Sequence, residues 1–548
     1  MKPIKLFVGA LPVLLLFSCS RTEKINQAAN VVKEILASES IAVVQTQSGK
    51  VAGYIENDIY IYKGIPYAEA KRFMPPHPPE SWEGIRSTRA YGPVCPQGKR
   101  SGWYSDEQAF AFDWDDGYQD ENCLRVNIWT QGINDNKNRP VMVWLHGGGY
   151  SAGSGHELPS YDGTALSKKG DVVVVSLNHR LNVLGFLDLS AFGEKYASSG
   201  NVGLLDLIAA LEWVQENIRQ FGGDPDNVTI FGQSGGGGKV STLMATPRAS
   251  GLFHKAVVES GSLLNTMESK YSRQIGLATL EELGLKAFQI DELANVPHEK
   301  LLEAGNKAVA KVEMLARADG FNPFLFGWAP TVDGIILPLQ PGNPKAMEQS
   351  KNVPLLVGST LHEFTFTTYN PASRNIDKSG AVAEMVKIYG ESTNQFLKAF
   401  ENAYPNYQPR DLLDVDLLFR PGVIRHANLK HGLGGAPVYT YLFTWESPVI
   451  DGMFRSTHCM ELPFVFNNII RCSKMTGGTP EAYLLAEKMS SAWLNFAKTG
   501  NPNTTGLPHW DPYTITGGAT MVFDGECEIK NHHDRQLIEI ANRFPKIL

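Results

Sequence analysis

The 548-residue chain has no surplus of basic residues: 50 Lys+Arg stand against 57 Asp+Glu, a formal net charge of −7. Phosphate backbones are held by basic faces, so nucleic acid is excluded as the main partner. There is no internal repeat period, no low-complexity block and no long linker, which excludes solenoids and disordered arrays. Beyond the N-terminus no apolar run approaches the ~20 residues of a membrane-spanning helix. Cys-x-x-Cys pairs and Cys/His groups at zinc spacing are absent, so no metal site is expected. What remains is the balance of a globular protein, 43% hydrophobic and 20% charged.

The N-terminus reads as a leader. Lys2 and Lys5 precede an apolar run from Leu6 to Phe17, about 12 residues, too short to span a bilayer and right for a signal-peptide core. The sequence Leu16-Phe17-Ser18-Cys19 resembles a bacterial lipoprotein signal, in which that cysteine is lipidated and becomes residue one; the alternative is an incidental thiol in a discarded leader. The expectation is a signal peptide over 1–18, a lipid-anchored tether over 19–40 with a short helix near Ile25–Leu36, and one catalytic domain over 41–548. Export to a bacterial membrane surface follows, with membrane contact only through the anchor.

Without Cys19, five cysteines are left: Cys95, Cys123, Cys459, Cys472 and Cys527. An odd number leaves at least one unpaired, and disulfides persist outside the cytoplasm. Cys95 and Cys123 are the expected pair. They close a loop of about 28 residues, for which the chain-entropy model gives roughly 3.5 kcal/mol.

Apolar runs at Val141–Leu145, Val172–Leu177, Val228–Phe231, Lys255–Val258, Pro354–Gly358 and Val438–Phe443 read as strands buried on both faces. Between them, Leu204, Leu205, Ile208, Leu211, Val214 and Ile218 recur at helix spacing, and Leu484–Phe496 is a second helix. Strands alternating with helices predict an α/β fold around a mostly parallel sheet.

The strand at Val228–Phe231 runs into Gly232-Gln233-Ser234-Gly235-Gly236, followed by a helical pattern. In strand–turn–helix context, G-x-S-x-G is a nucleophile elbow: the turn is so sharp that side chains at the flanking positions would collide, and it lifts the serine hydroxyl to a helix N-terminus. The pattern alone arises by chance about 0.3 times in such a chain, so the flanking elements carry the reading. A phosphate-binding loop would need Gly-Lys-Ser/Thr; here Lys239 precedes Val240. A second motif, His146-Gly147-Gly148-Gly149, follows the strand Val141–Leu145 and matches the loop that supplies the rest of an oxyanion hole. A serine nucleophile needs a base and an orienting acid, in the order Ser, acid, His. By position alone His362, His426, His431, His458, His509, His532 and His533 all qualify.

With these motifs the chain resembles the type-B carboxylesterase family, which includes cholinesterases and para-nitrobenzyl esterases. The resemblance runs through Tyr62-Lys63-Gly64-Ile65-Pro66-Tyr67-Ala68, Glu121-Asn122-Cys123-Leu124, Gly200–Asp206, Phe221–Pro225 and the segment from Ala492-Trp493 to Trp510. It implies an α/β-hydrolase fold and a serine esterase with no cofactor, acting through an acyl-enzyme on small to medium or aromatic esters. It selects Glu363 as the acid, with Asp333 as rival, and His458 as the base. Phe364 and Cys459 stand where the family usually has glycine, Gly235 where it has alanine and Gln233 where it has glutamate. The oxyanion donors implied are the amides of Gly148, Gly149 and Gly235, with Gln233, Ser260 and Glu461 behind the triad. Glu121 and Arg180 match a family salt bridge. The loop between Cys95 and Cys123 matches one wall of the family's active-site gorge; its Trp103, Trp114 and cluster of acids either attract cationic or aromatic substrates or, the preferred reading, form a solvated loop, and Phe321, Phe324, Phe326 and Trp328 are either pocket or core. The alternatives are a non-catalytic binding relative, which would lack the nucleophile, and an amidase or peptidase on the same fold.

Overall fold

The computed structural model describes residues 34–98, 105–320 and 326–544. The leader, Cys19, Trp103, Phe321 and Phe324 lie outside the described residues.

A twelve-stranded sheet organises the chain. In chain order its strands are β1 Ile35–Leu36, β2 Tyr54–Glu56, β3 Ile59–Pro66, β4 Arg125–Thr130, β5 Arg139–Leu145, β6 Val173–Leu177, β7 Gly223–Gln233, β8 Lys255–Glu259, β9 Leu355–Thr360, β10 Val438–Phe443, β11 Ala519–Phe523 and β12 Glu528–Asn531. Across the sheet they run β1-β2-β3-β4-β6-β5-β7-β8-β9-β10-β11-β12. The block from β6 to β11 is parallel, while β1 to β4 and β12 add antiparallel edges. This is the α/β-hydrolase fold. The expected helix near Ile25–Leu36 is not seen in its described part: Ile35 and Leu36 pair with Glu56 and Ile55 as β1, because the open edge of β2 offers unpaired backbone groups to an extended segment.

Strand periodicity builds a core on both faces. Val141, Val143 and Leu145 of β5 pack on one side with Leu204, Ile208 and Leu211 of helix α1 (Val202–Asn217). Met142 and Trp144 point the other way, into a second core with Met489, Trp493 and Phe496 of α3 (Pro480–Thr499). The α3 helix starts at a Thr479 side-chain cap with Pro480 in its first turn and stops at Gly500, φ 80°, as helix-end chemistry requires. Between these helices in sequence, α2 (Gly235–Met244) follows β7 directly.

The parallel register brings the strand ends to one edge. Gly232 of β7 lies beside Leu145, and Gln233 beside Glu259. The residues that follow β5, β7, β8 and β9 therefore converge at the carboxyl edge, where open α/β sheets bind their ligands.

Two expected pairings are corrected. Arg180 does not meet Glu121: its guanidinium makes a bidentate bridge to the fully buried Asp206 on α1, at 2.8 and 2.7 Å. Glu121 pairs instead with Arg72, whose Nε donates at 2.7 Å. The Cys95–Cys123 disulfide is likewise not formed: both are free, buried thiols. The two cysteines are neighbours, and the Cys95 sulfur accepts the Leu181 N–H at 3.2 Å. The acids of this loop serve it locally. Asp113 pairs with Lys474, Asp116 accepts from Trp114 Nε1, and Asp115 and Asp120 cap turns, the arrangement of a solvated loop.

Candidate active site

Ser234 sits between β7 and α2 at φ 57°, ψ −124°, a conformation that costs a non-glycine residue on the order of 1–3 kcal/mol and is held only by its surroundings. Its N–H donates to Glu259 O at 2.8 Å and its carbonyl accepts from Gly238 N at 3.0 Å. The glycines on either side are sterically required. A Cβ on Gly232 would meet the Leu145 carbonyl at 2.6 Å, and one on Gly236 would collide with the same oxygen.

The glycine loop after β5 lies against this elbow. Gly148 and Gly149 have φ of 77° and 63°, open to glycine at no steric cost. A Cβ on Gly147 would stand 3.5 Å from Ser234 Cβ. A Cβ on Gly235 would run into the backbone of Gly149. The chain thus fills with main chain the space that the family's usual alanine methyl occupies.

Glu363 follows β9, and His458 follows β10 after a longer excursion. His458 Nδ1 bonds Glu363 Oε2. The other carboxylate oxygen of Glu363 accepts the Thr360 N–H at 2.9 Å, and its backbone carbonyl accepts the His458 N–H at 2.8 Å and the Thr457 hydroxyl at 3.1 Å. Phe364 and Phe419 pack on the imidazole at ring separations of 4.8 and 5.3 Å. The rival acid Asp333 caps a turn, accepting the N–H groups of Ile335, Ile336 and Leu337. Among the other candidate histidines, His362 bonds Ser456 Oγ, and the buried His426 ring has no hydrogen-bond partner among the described residues.

The residues around the triad form a buried polar layer. The Gln233 side-chain nitrogen lies 3.3 and 3.2 Å from the two His458 ring nitrogens, astride the ring. The Cys459 thiol donates to Gln233 Oε1 at 3.2 Å. Cys459 has φ 72°, the left-handed conformation that explains the glycine usual at this position. Ser260 Oγ donates to Glu461 Oε1 at 3.5 Å, a long contact. Burial first, then the neighbouring Glu363 carboxylate, hold the Glu461 carboxyl well above the usual carboxylate range. Burial likewise raises Glu259 to about 8, although Trp493 Nε1 donates to it at 2.7 Å. Asp416, buried and facing Glu363, is raised to about 7 while accepting the amides of Leu418, Phe419 and Arg420.

Asp416, Phe419 and the packing of Phe364 on His458 escape sequence reading, because no local pattern marks them. Phe364 also opens onto a cavity of about 590 Å³ walled by Phe366, Tyr369, Met385, Tyr389 and Phe544. Phe326 packs edge-on against Tyr271, and Trp328 is buried with its Nε1 on Asn306, so the described part of that aromatic stretch is core. No group of three or more His, Cys, Asp or Glu among the described residues is arranged to hold a metal. No described helix is long and apolar enough to cross a membrane.

An elbow serine, a glycine loop and a His–Glu pair at the carboxyl edge of a parallel sheet define a serine hydrolase of the α/β-hydrolase class. The carboxylesterase family model matches residues 40–539, and the chain belongs to that family: it is a carboxylesterase, a serine hydrolase of carboxylic esters. It is 39% identical over 497 residues to the para-nitrobenzyl esterase of Bacillus subtilis (strain 168), covering 89% of this chain and 96% of that protein. It is 33% identical over 523 residues to carboxylesterase 1E of Rattus norvegicus, covering 88% and 90%. A solved esterase of Clostridium hathewayi, described as able to hydrolyse aliphatic aromatic polyesters, superposes with TM-score 0.82 at 36% identity over 93% of this chain and all of that one.

Proposed function

We propose that Ser234, His458 and Glu363 hydrolyse small to medium or aromatic carboxylic esters through an acyl-enzyme. His458 accepts the Ser234 proton as the hydroxyl attacks the ester carbonyl, then gives it to the leaving alcohol; water repeats the cycle on the acyl-enzyme. Glu363 fixes the Nδ1–H tautomer and stabilises the imidazolium without itself taking the proton. The Gly148, Gly149 and Gly235 amides receive the oxyanion, where each such donor contributes about 3–4 kcal/mol to the transition state. Gln233 supports the histidine with its side-chain nitrogen against the ring, and the Ser260–Glu461 pair belongs to the buried polar layer around it.

The observation that carries the reading is the His458 Nδ1–Glu363 Oε2 bond at the same sheet edge as the Ser234 elbow. The aromatic-walled cavity beside Phe364 supports an aromatic or medium-chain substrate, as does the polyester activity stated for the Clostridium hathewayi relative. The test is hydrolysis of para-nitrophenyl esters from acetate to octanoate, with Ser234→Ala in parallel. Activity in the parent alone supports the proposal, and equal activity in both removes it.

The leader supports export and lipid attachment at Cys19. Incorporation of an alkyne-tagged fatty acid, lost in Cys19→Ala, is expected in cells; label retained in that variant excludes this site.

A further inference from the structure

Beneath the glycine loop lies a fully buried lysine that the ester-cleaving chemistry above does not use. Lys239 is the fifth residue of α2, five residues after the nucleophile, with no exposed surface. Its Nζ donates to the His146 carbonyl at 2.7 Å and contacts the Gly147 carbonyl at 3.4 Å. The Gly147 carbonyl is also contacted by His146 Nδ1 at 3.0 Å. Among the described residues no carboxylate is within ion-pair distance of this ammonium; Glu157, buried and bonded to Ser154 N and Tyr161 Oη, is the acid that acts on it from further off. An uncompensated buried cation is costly, so it persists only where its surroundings require it.

The requirement follows from peptide geometry. In a planar trans peptide the C=O and N–H point in opposite directions. Anchoring Gly147 O beneath the loop aims the Gly148 N–H the other way, and Gly147 lies next to Ser234, where a Cβ on it would stand 3.5 Å from Ser234 Cβ. We propose that Lys239 is a positioning residue of the oxyanion hole: its ammonium clamps the His146 and Gly147 carbonyls from below, fixes the direction of the Gly148 amide, and puts a positive charge behind the oxygen that turns negative in the transition state. Such preorganised charge in a water-poor site acts on the transition state more than on the bound ester.

The groups facing Lys239 are Glu157, His146, His179 and the Tyr150 ring, 5.8 Å away. Burial and Lys239 itself keep both histidines well below their usual range, so they stay neutral. Burial lowers Lys239 to about 7, opposed by Glu157, itself raised to about 8 by burial. The clamp therefore loses its charge on the alkaline side of neutrality.

This inference rests on the esterase reading, which Ser234→Ala tests separately. With an active parent, Lys239→Met is expected to lower kcat about 10- to 100-fold with KM within about threefold, and to weaken an aryl boronate that mimics the tetrahedral adduct by the same factor as kcat. A merely structural lysine would lower the melting temperature and leave the ratio of boronate affinity to KM unchanged. An active variant with kcat within threefold of the parent, or with boronate and substrate weakened equally, overturns the proposal. Should Lys239→Met fail to fold, Lys239→Gln provides the second test, since its amide can still donate to the His146 carbonyl but carries no charge. Its uncharged side chain is expected to lower kcat at least tenfold with KM within about threefold, and a folded variant with the kcat of the parent overturns the proposal.

Discussion

Glu363 takes hold of His458 twice, once through its carboxylate on Nδ1 and once through its backbone carbonyl on the His458 N–H at 2.8 Å. The main-chain bond sets the position of the residue and the side-chain bond sets the tautomer. The two can be separated by substitution. Glu363→Gln keeps the backbone bond and the shape of the site but offers no carboxylate to an imidazolium. We expect kcat to fall by about 10²–10⁴ with little change in melting temperature. A loss below fivefold would show that Glu363 does not orient the base.

Gly235 is confined by its neighbour rather than by its own φ. The Gly149 backbone occupies the position of a Cβ. Gly235→Ala, though it restores the family's usual residue, is expected to push the glycine loop away from Ser234. The predicted result is a fall in kcat of about 10²-fold, the cost of one displaced oxyanion donor, with KM changed far less. Steady-state kinetics on para-nitrophenyl acetate decide it, and unchanged kcat would mean that the loop yields freely.

Phe364 lies between the imidazole and the large cavity, and is 42% exposed. Phe364→Gly, the family's usual residue, is expected to shift the ratio of kcat/KM toward bulky alcohol groups by about tenfold, at a stability cost of about 1 kcal/mol for a half-exposed ring. The comparison is between phenyl and naphthyl esters of one acid. An unaltered ratio would place the alcohol group elsewhere.

Glu259 makes stability depend on pH. Its folded pKa, about 8, lies above the ordinary 4.5, so the folded chain retains a proton that the unfolded chain releases. The contribution is intact below about pH 4.5 and is lost as pH rises toward 8. Glu259→Gln keeps a polar group beside Trp493 and cannot ionise. Urea unfolding at pH 5 and pH 8 should show the variant gaining stability relative to the parent at the higher pH. Equal differences at both would mean that Glu259 is not protonated in the folded state.

Asp206 is the buried partner of Arg180. Asp206→Asn leaves the guanidinium in the core without a counter-charge, and a loss of about 3–5 kcal/mol is expected. Removal of the exposed Asp226 from Arg219 should cost under about 1 kcal/mol. Thermal unfolding of the two variants gives the contrast.

The sequence by itself determined much of the sheet and the elbow, because both are written in local chemistry. Residues buried on both faces of a parallel strand must be apolar in unbroken runs, and all six runs read as strands are β5 to β10, with ends that differ by two residues at most apart from β7. The glycines of 232–236 and 147–149 are legible because a Cβ has nowhere to go. The choice of Glu363 and His458 needed the family resemblance, since seven histidines met the order of the triad equally well.

Tertiary structure alone decided the pairings between distant segments. Arg180 was expected to meet Glu121, and the packing of α1 gave it Asp206 instead. Cys95 and Cys123 were expected as a disulfide, and the fold keeps them as neighbouring buried thiols. Lys239 looks like any helix lysine in one dimension; burial under the glycine loop makes it a clamp. In each case the deciding quantity is which groups share a volume from which water is excluded, and that is fixed by long-range packing that no local pattern encodes.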